Sequence, residues 1–228
     1  IEKSGIKLLE VIVCLWVKKF LAQRFMITFA ITVADEFFEF KRLINSLQPY
    51  VYPQEEIVIL ADENKVTQEI KDHCDLCGLK INFFKFENNF SDFKNELFNL
   101  STKDYLFQID ADEQIPPSLI HILRQVASQK RVDLLWIPRI NIVQGATEED
   151  IQNFNWNLNE LGWEGFPDYQ SRFVSTKGHI RWKNKVHEIL DGAGNQARIE
   201  EKPIELYSIL HVKHIEKQRK QNSLYDSI

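Results

Sequence analysis

The chain has 228 residues, 44% of them hydrophobic and 27% charged, with a formal net charge of -5. That is enough for one domain with a sizeable core, in a composition ordinary for globular proteins. Its 28 Lys and Arg are scattered and outnumbered by 33 Asp and Glu, which argues against a basic phosphate track and so against a nucleic-acid partner.

Residues 1–25 precede Met26, the single methionine. Ile6 to Val17 is apolar and flanked by Lys7, Lys18, Lys19 and Arg24. The run is shorter than the ~18 residues of a membrane span and has no small-residue cleavage site. It reads as an amphipathic extension that packs on the domain or touches a membrane surface peripherally. Cys14, Cys74 and Cys77 form no disulfide framework and suit a reducing, cytoplasmic setting, with the extension over 1–25 offering peripheral contact at the inner face of a membrane. Cys74-x-x-Cys77 lacks two further zinc ligands and reads as thiols on a helix.

The elements follow in alternation. Met26–Val33 is a continuous apolar, β-branched strand ending in Asp35 and Glu36. Phe37–Leu47 has helical spacing, with Phe40, Leu43, Ile44 and Leu47 on one face. Glu56–Ala61 is a second strand ending in Asp62; Thr67–Cys77 is a helix stopped by Gly78; Lys80–Phe86 is a third strand. A helix over Phe90–Leu100 leads to a fourth strand, Tyr105–Ile109, which ends in Asp110-Ala111-Asp112-Glu113. Pro116 and Pro117 open a helix running to Val126, and Val132–Ile137 is a fifth strand. Beyond it, Gln144–Trp163 reads as an irregular or partly helical excursion. Gln170–Val174 and His179–Trp182 read as short strands across a turn at Lys177-Gly178. Ile204–His211 is a last strand and Glu216–Tyr225 a terminal helix.

This pattern predicts an α/β fold with an open, mainly parallel, doubly wound, Rossmann-like sheet and an elaborated C-terminal half. Residues 26–228 form one domain, 26–137 for a nucleotide ligand and 138–228 for a second substrate. Ligands of such sheets bind at the carboxyl ends of the strands. Three strands there end in acid, which calls for a cation or a donor-rich ligand.

Asp110 and Asp112 carry the strongest chemical signal. A buried strand delivers two carboxylates two residues apart. Mg2+ and Mn2+ take few hard oxygen ligands from protein and complete their shell with water and substrate phosphates. Two Asp plus a diphosphate meet that demand.

From Met26 to Val126 the sequence resembles the nucleotide-binding half of family 2 glycosyltransferases, the GT-A type. The resemblance lies in Asp35-Glu36, Ser46-Leu47, Asp62, Lys94-Asn95 and the intact Asp110-x-Asp112-Glu113. The second half is similar to members acting on surface glycans and lipopolysaccharide cores, through Pro167-Asp168-x-Gln170-x-Arg172-Phe173, Trp182 and Val186-His187-Glu188, then a late His211. The resemblance implies an inverting transfer of sugar from a nucleotide-diphosphate sugar, most simply a UDP-sugar, to a glycan or lipid-linked acceptor. It assigns Asp35, Glu36, Asp62, Lys94, Asn95, Asp110 and Ala111 to the donor, and Asp110, Asp112 and His211 to a Mn2+ or Mg2+ ion. Glu188 is the first candidate for general base and Asp168 the second, with His187 orienting Glu188 or touching acceptor. Trp156, Trp163 and Trp182 are candidates for stacking on sugar rings, and the basic run Lys213, Lys217, Arg219 and Lys220 for reaching phosphate. The competing readings are a nucleotidyltransferase, which would want a Gly-rich basic loop where Ala34-Asp35-Glu36-Phe37 stands, and an inactive binding module of the same fold.

Overall fold

A computed structural model describes residues 26–225; the extension expected over 1–25 lies outside the described residues. β1 (Ile27–Val33) is buried along its whole length because it is covered on both faces. It pairs in parallel with β2 (Glu56–Asp62) on one side and β4 (Tyr105–Asp110) on the other. β3 (Ile81–Phe84) extends the β2 edge, again in parallel. Beyond β4 the order continues β7 (Glu164–Ser175), β6 (Leu134–Gln144), β11 (Ile209–His214), β5 (Glu113–Gln114). β10 (Gln196–Arg198) adds to β6.

Side chains alternate across this sheet and feed two cores. Phe29, Ile31, Phe107 and Ile109 face α1 (Phe37–Leu47), α2 (Gln68–Leu76) and α4 (Pro117–Gln129). Ala30, Leu60, Leu106 and Val174 face α3 (Phe90–Leu100) and a small sheet of β8 (Arg181–Lys183) and β9 (Ile189–Asp191). The helix faces follow from spacing: α1 buries Phe40, Leu43, Ile44 and Leu47. Asn89 caps α3, accepting from the backbone N–H groups of Ser91 and Asp92. Gly78 turns the chain after α2 at φ 66°, a conformation that suits glycine.

The second half departs from the sequence expectations in three places. Gln170–Val174 and His179–Trp182 do not pair across a turn. The first belongs to β7, which runs antiparallel between β4 and β6, and the second to β8, whose partner is β9. The fifth strand reaches Gln144, seven residues past Ile137, with Pro138 flanked by two irregularities in its pairing. Ile204–His211 splits into a 3-10 turn, Ile204–Tyr207, and β11. The excursion after Gln144 contains α5 (Glu148–Asn153), opened by reciprocal Thr147–Asp150 capping bonds. α6 (Ile215–Tyr225) ends the described chain. The C-x-x-C reading holds: Cys74 is buried, and burial pushes its thiol up to about 11, while Cys77 is half-buried.

Candidate active site

At the carboxyl ends of β1, β2 and β4 a cleft of 680 Å³ opens. Asp35, Glu36 and Asp62 line one side of it, with Lys94, Asp110, Ala111 and Asp112 at its floor. His187, Glu188 and His211 border it from the second half. Of the sequence candidates, Asn95, Trp156, Trp163, Asp168 and Arg219 fall outside this lining. Asn95 instead clips α3 to β8, its side chain donating to the Trp182 carbonyl at 2.9 Å and accepting from the Trp182 N–H at 2.8 Å.

Asp110 is held through both carboxylate oxygens. One oxygen accepts from Thr32 Oγ1 and Gln108 Nε2, both at 2.8 Å; the other meets Arg172 Nη2 at 2.7 Å. Gln108 and Asp110 are two residues apart on β4 and so share a face. Burial by itself would raise the carboxyl, but Arg172, Lys94 and the Thr32 hydroxyl hold it well below the usual carboxylate range. Glu113, fully buried, braces the turn: it accepts from the Asp110 N–H at 3.0 Å and from Arg172 at 3.0 Å.

Asp112 and His211 face each other, Oδ2 to Nε2, at 3.4 Å. Asn141 fixes the imidazole. Its Nδ2 donates to Asp168 at 2.8 Å, so its Oδ1 accepts, and His211 Nδ1, 2.9 Å away, is the protonated nitrogen. In neutral His211 the Nε2 lone pair therefore points toward the Asp112 carboxylate, a gap for a proton or a metal ion. A carboxylate and an imidazole with its far nitrogen anchored suit a divalent ion that completes its shell with phosphate and water. Among the described residues no group of three or more His, Cys, Asp or Glu converges as a self-sufficient metal site. Lys217, from α6, reaches the same carboxylate at 3.0 Å and Glu36 at 3.5 Å. Burial works to raise the Asp112 carboxyl; a protonated His211, through its hydrogen bond and charge, and the charge of Lys217 pull it well below its ordinary value. His214 turns instead to Glu216 on the surface.

Lys94 is buried and its ammonium donates to Glu188 Oε1 at 2.5 Å, lies 4.0 Å from Asp110 and sits over the Trp182 ring. Trp182 is thus core rather than an open platform. Glu188 and His187 ride the loop before β9, where His187 has φ 51° and the Lys185 carbonyl accepts from the Phe90 N–H at the start of α3. Asp168 stands on the other side of the cleft wall. Arg139 donates to it at 3.0 and 2.8 Å, Asn141 at 2.8 Å and Gln170 at 2.6 Å. Burial opposes ionisation of Asp168, but Arg139 and these bonds win, and its carboxyl lies below the ordinary value.

Sequence reasoning missed Arg139 and Asn141, and it named Glu113 and Arg172 as motif residues without the contacts they make to Asp110. Arg139 and Asn141 had a signal, a charged and an amide side chain inside an otherwise apolar strand, Pro138-Arg-Ile-Asn-Ile142.

A sequence model described as Glycosyl transferase family 2 matches residues 29–190, well over half of the chain. The chain belongs to glycosyltransferase family 2. Its sheet has the GT-A architecture of solved structures. Staphylococcus aureus TarS 1-349 in complex with UDP-GlcNAc matches at TM-score 0.57 and 12% identity, over 82% of this chain and 58% of that one. Glucosyl-3-phosphoglycerate synthase from Mycobacterium tuberculosis, solved with Mn2+, UDP-glucose and phosphoglyceric acid, matches at TM-score 0.45 and 12% identity, over 68% of this chain and 58% of that one. The family 2 chain described here thus spans somewhat more than half the length of these two proteins. None of the curated protein sequences compared with it matches. No described helix is long and apolar enough to cross a membrane.

Proposed function

We propose that this family 2 chain transfers a sugar, with inversion, from a nucleotide-diphosphate sugar, most simply a UDP-sugar, to an acceptor hydroxyl in glycan synthesis. The observation that carries the reading is the pairing of Asp112 with an Asn141-anchored His211, set beside Asp110 and Lys94 at the carboxyl ends of a doubly wound sheet. In this reading Asp35, Glu36 and Asp62 serve the nucleoside, and the Asp110 region serves the ribose and diphosphate. Asp112 and His211 would hold Mn2+ or Mg2+, which neutralises the charge that grows on the leaving diphosphate. Lys94 and Lys217 supply fixed positive charge at the same place.

The acceptor approaches from the far side of the Arg139–Asn141 wall. Asp168 lies on that side with its carboxyl below the ordinary value, which supports taking it, ahead of the first sequence candidate Glu188, as the carboxylate that receives the acceptor proton. Glu188, committed to Lys94, positions that lysine on the donor side. The test is calorimetric titration of UDP with Mn2+ present, alongside transfer from a panel of UDP-sugars. Asp112→Asn should lower UDP affinity at least about tenfold, the scale of losing one charged interaction, without unfolding the protein. Unchanged Mn2+-dependent UDP binding in this variant sinks the reading.

A further inference from the structure

A second cleft, of 270 Å³, lies beside the first and shares Arg139 and Lys213 with it. Nothing in the donor chemistry uses it. It forms where the excursion after β6 folds back on β7. The Trp156 N–H donates to the Ile151 carbonyl at 3.0 Å, and the Gly165 N–H to the Asn157 carbonyl at 3.0 Å. These bonds bring an aromatic ring and a carboxylate to one hollow. The Trp156 ring borders the cleft with Phe154 stacked on it at 5.0 Å, which fixes its plane.

Glu164, at the first position of β7, is half-buried and its carboxylate accepts no hydrogen bond from the described residues. Burial and the neighbouring Asp168 both raise its carboxyl, against Arg139 and Lys213. Facing the cleft, this carboxylate is left to accept from water or from the hydroxyl of a ligand.

The lining decides between ligand classes. An apolar chain finds little besides Val143 and Trp156 to cover it. An anionic acceptor would find Lys213, but it would also meet the Glu164 and Asp168 carboxylates and would have to displace Asp168 from Arg139, which already binds Asp168 and Glu113. A neutral polyhydroxylated ring suffers neither penalty: hydroxyls donate to the carboxylates while C–H groups lie on the indole. The volume is below the range of drug-sized pockets, so it admits one ring.

We infer that this cleft receives a single neutral pyranose of the acceptor, stacked on Trp156 and hydrogen-bonded to Glu164, with one hydroxyl presented to Asp168. The inference rests on the transfer reaction proposed above and deepens it by naming the ring that carries the acceptor hydroxyl and the residues that hold it.

Saturation-transfer NMR on the full chain with UDP and Mg2+ tests it, using methyl glucoside, galactoside, mannoside and N-acetylglucosaminide as probes, with glycerol 3-phosphate and serine as non-sugar hydroxyl donors. At least one pyranoside should bind, with transfer strongest to the C–H groups of one ring face. Trp156→Ala should abolish that signal, and Glu164→Gln should weaken binding about tenfold, as expected for loss of one charge-assisted hydrogen bond. UDP affinity, measured in the same samples, reports on fold and donor site. Pyranoside binding untouched by both substitutions overturns the inference. So does binding of glycerol 3-phosphate or serine alone, or the absence of any pyranoside signal while UDP binds. If UDP itself fails to bind the parent protein, the donor reading falls first and this inference falls with it.

Discussion

The two acids proposed for base chemistry occupy opposite sides of the site, and their partners separate their expected phenotypes. Glu188 neutralises a buried lysine that stands 4.0 Å from Asp110. Glu188→Gln leaves that lysine without its counter-charge, so the effect should fall on the donor: KM for the UDP-sugar rises about tenfold with a smaller change in kcat. Asp168→Asn should lower kcat at least about 100-fold with UDP binding retained. Steady-state kinetics with each substrate varied separately reads this split. The reverse pattern, a kcat defect in Glu188→Gln and near-parent turnover in Asp168→Asn, would return the base to Glu188. Lys217 invites a different measurement. Its ammonium lies 3.0 Å from the oxygen of Asp112 that also faces His211, the place a metal ion would take. Lys217→Met should therefore tighten Mn2+ binding by about fivefold, a modest effect because the lysine is partly exposed. Water-proton relaxation in a Mn2+ titration follows it, and weaker binding in the variant would show that the lysine helps the metal site rather than competing for it.

At the level of elements, α6 is tied to the excursion that follows β6 through one acid. Asp150 accepts from the Thr147 N–H at 2.9 Å and its hydroxyl at 2.8 Å, and pairs with Arg219 at 2.6 Å. The Thr147 backbone bond, then Arg219 and the Thr147 hydroxyl, lower its carboxyl to about 2. The folded value is depressed, so this stabilisation is complete above the ordinary carboxylate value and is lost as pH falls toward about 2. Asp150→Asn should be less stable than the parent at about pH 6 and should lose less between about pH 4 and about pH 2. Urea midpoints at three pH values decide it; parallel curves for the two proteins would show that Asp150 titrates alike folded and unfolded. The helices and parallel strands of the first half were legible because each buries a face of its own period. Phe37–Leu47 and Phe90–Leu100 appear with the boundaries that spacing and capping predict. β7 was only half legible. Its first residues, Glu164-Gly-Phe-Pro-Asp168, carry no two-residue apolar alternation, since they face a polar cleft instead of the core.

For the whole molecule, β7 is the joint between the parallel half and the rest. It pairs antiparallel with both β4 and β6, and Phe173, fully buried, stacks on Tyr105 at 4.8 Å and meets Phe107 edge-on. The next residue in each direction serves a different purpose: Val174 packs into the opposite core, and Arg172 reaches Asp110. Phe173→Ala should cost about 3–5 kcal/mol, as for other fully buried aromatics, read as a lower urea midpoint at unchanged slope. A loss below about 1 kcal/mol would mean that the two halves close over the gap. The sequence by itself determined the doubly wound first half and the acids at its strand ends. Those features are local: period, caps, and a run of apolar residues stopped by a carboxylate all lie within a dozen positions. Only the tertiary structure decided what those acids touch. Arg172 is 62 residues from Asp110, Asn141 is 70 from His211, and Lys94 is 94 from Glu188. Such pairings form when the sheet sets β7 beside β4 and β11 beside β6, and when α3 meets the loop before β9; no local periodicity encodes which distant side chain those contacts will bring to a buried charge.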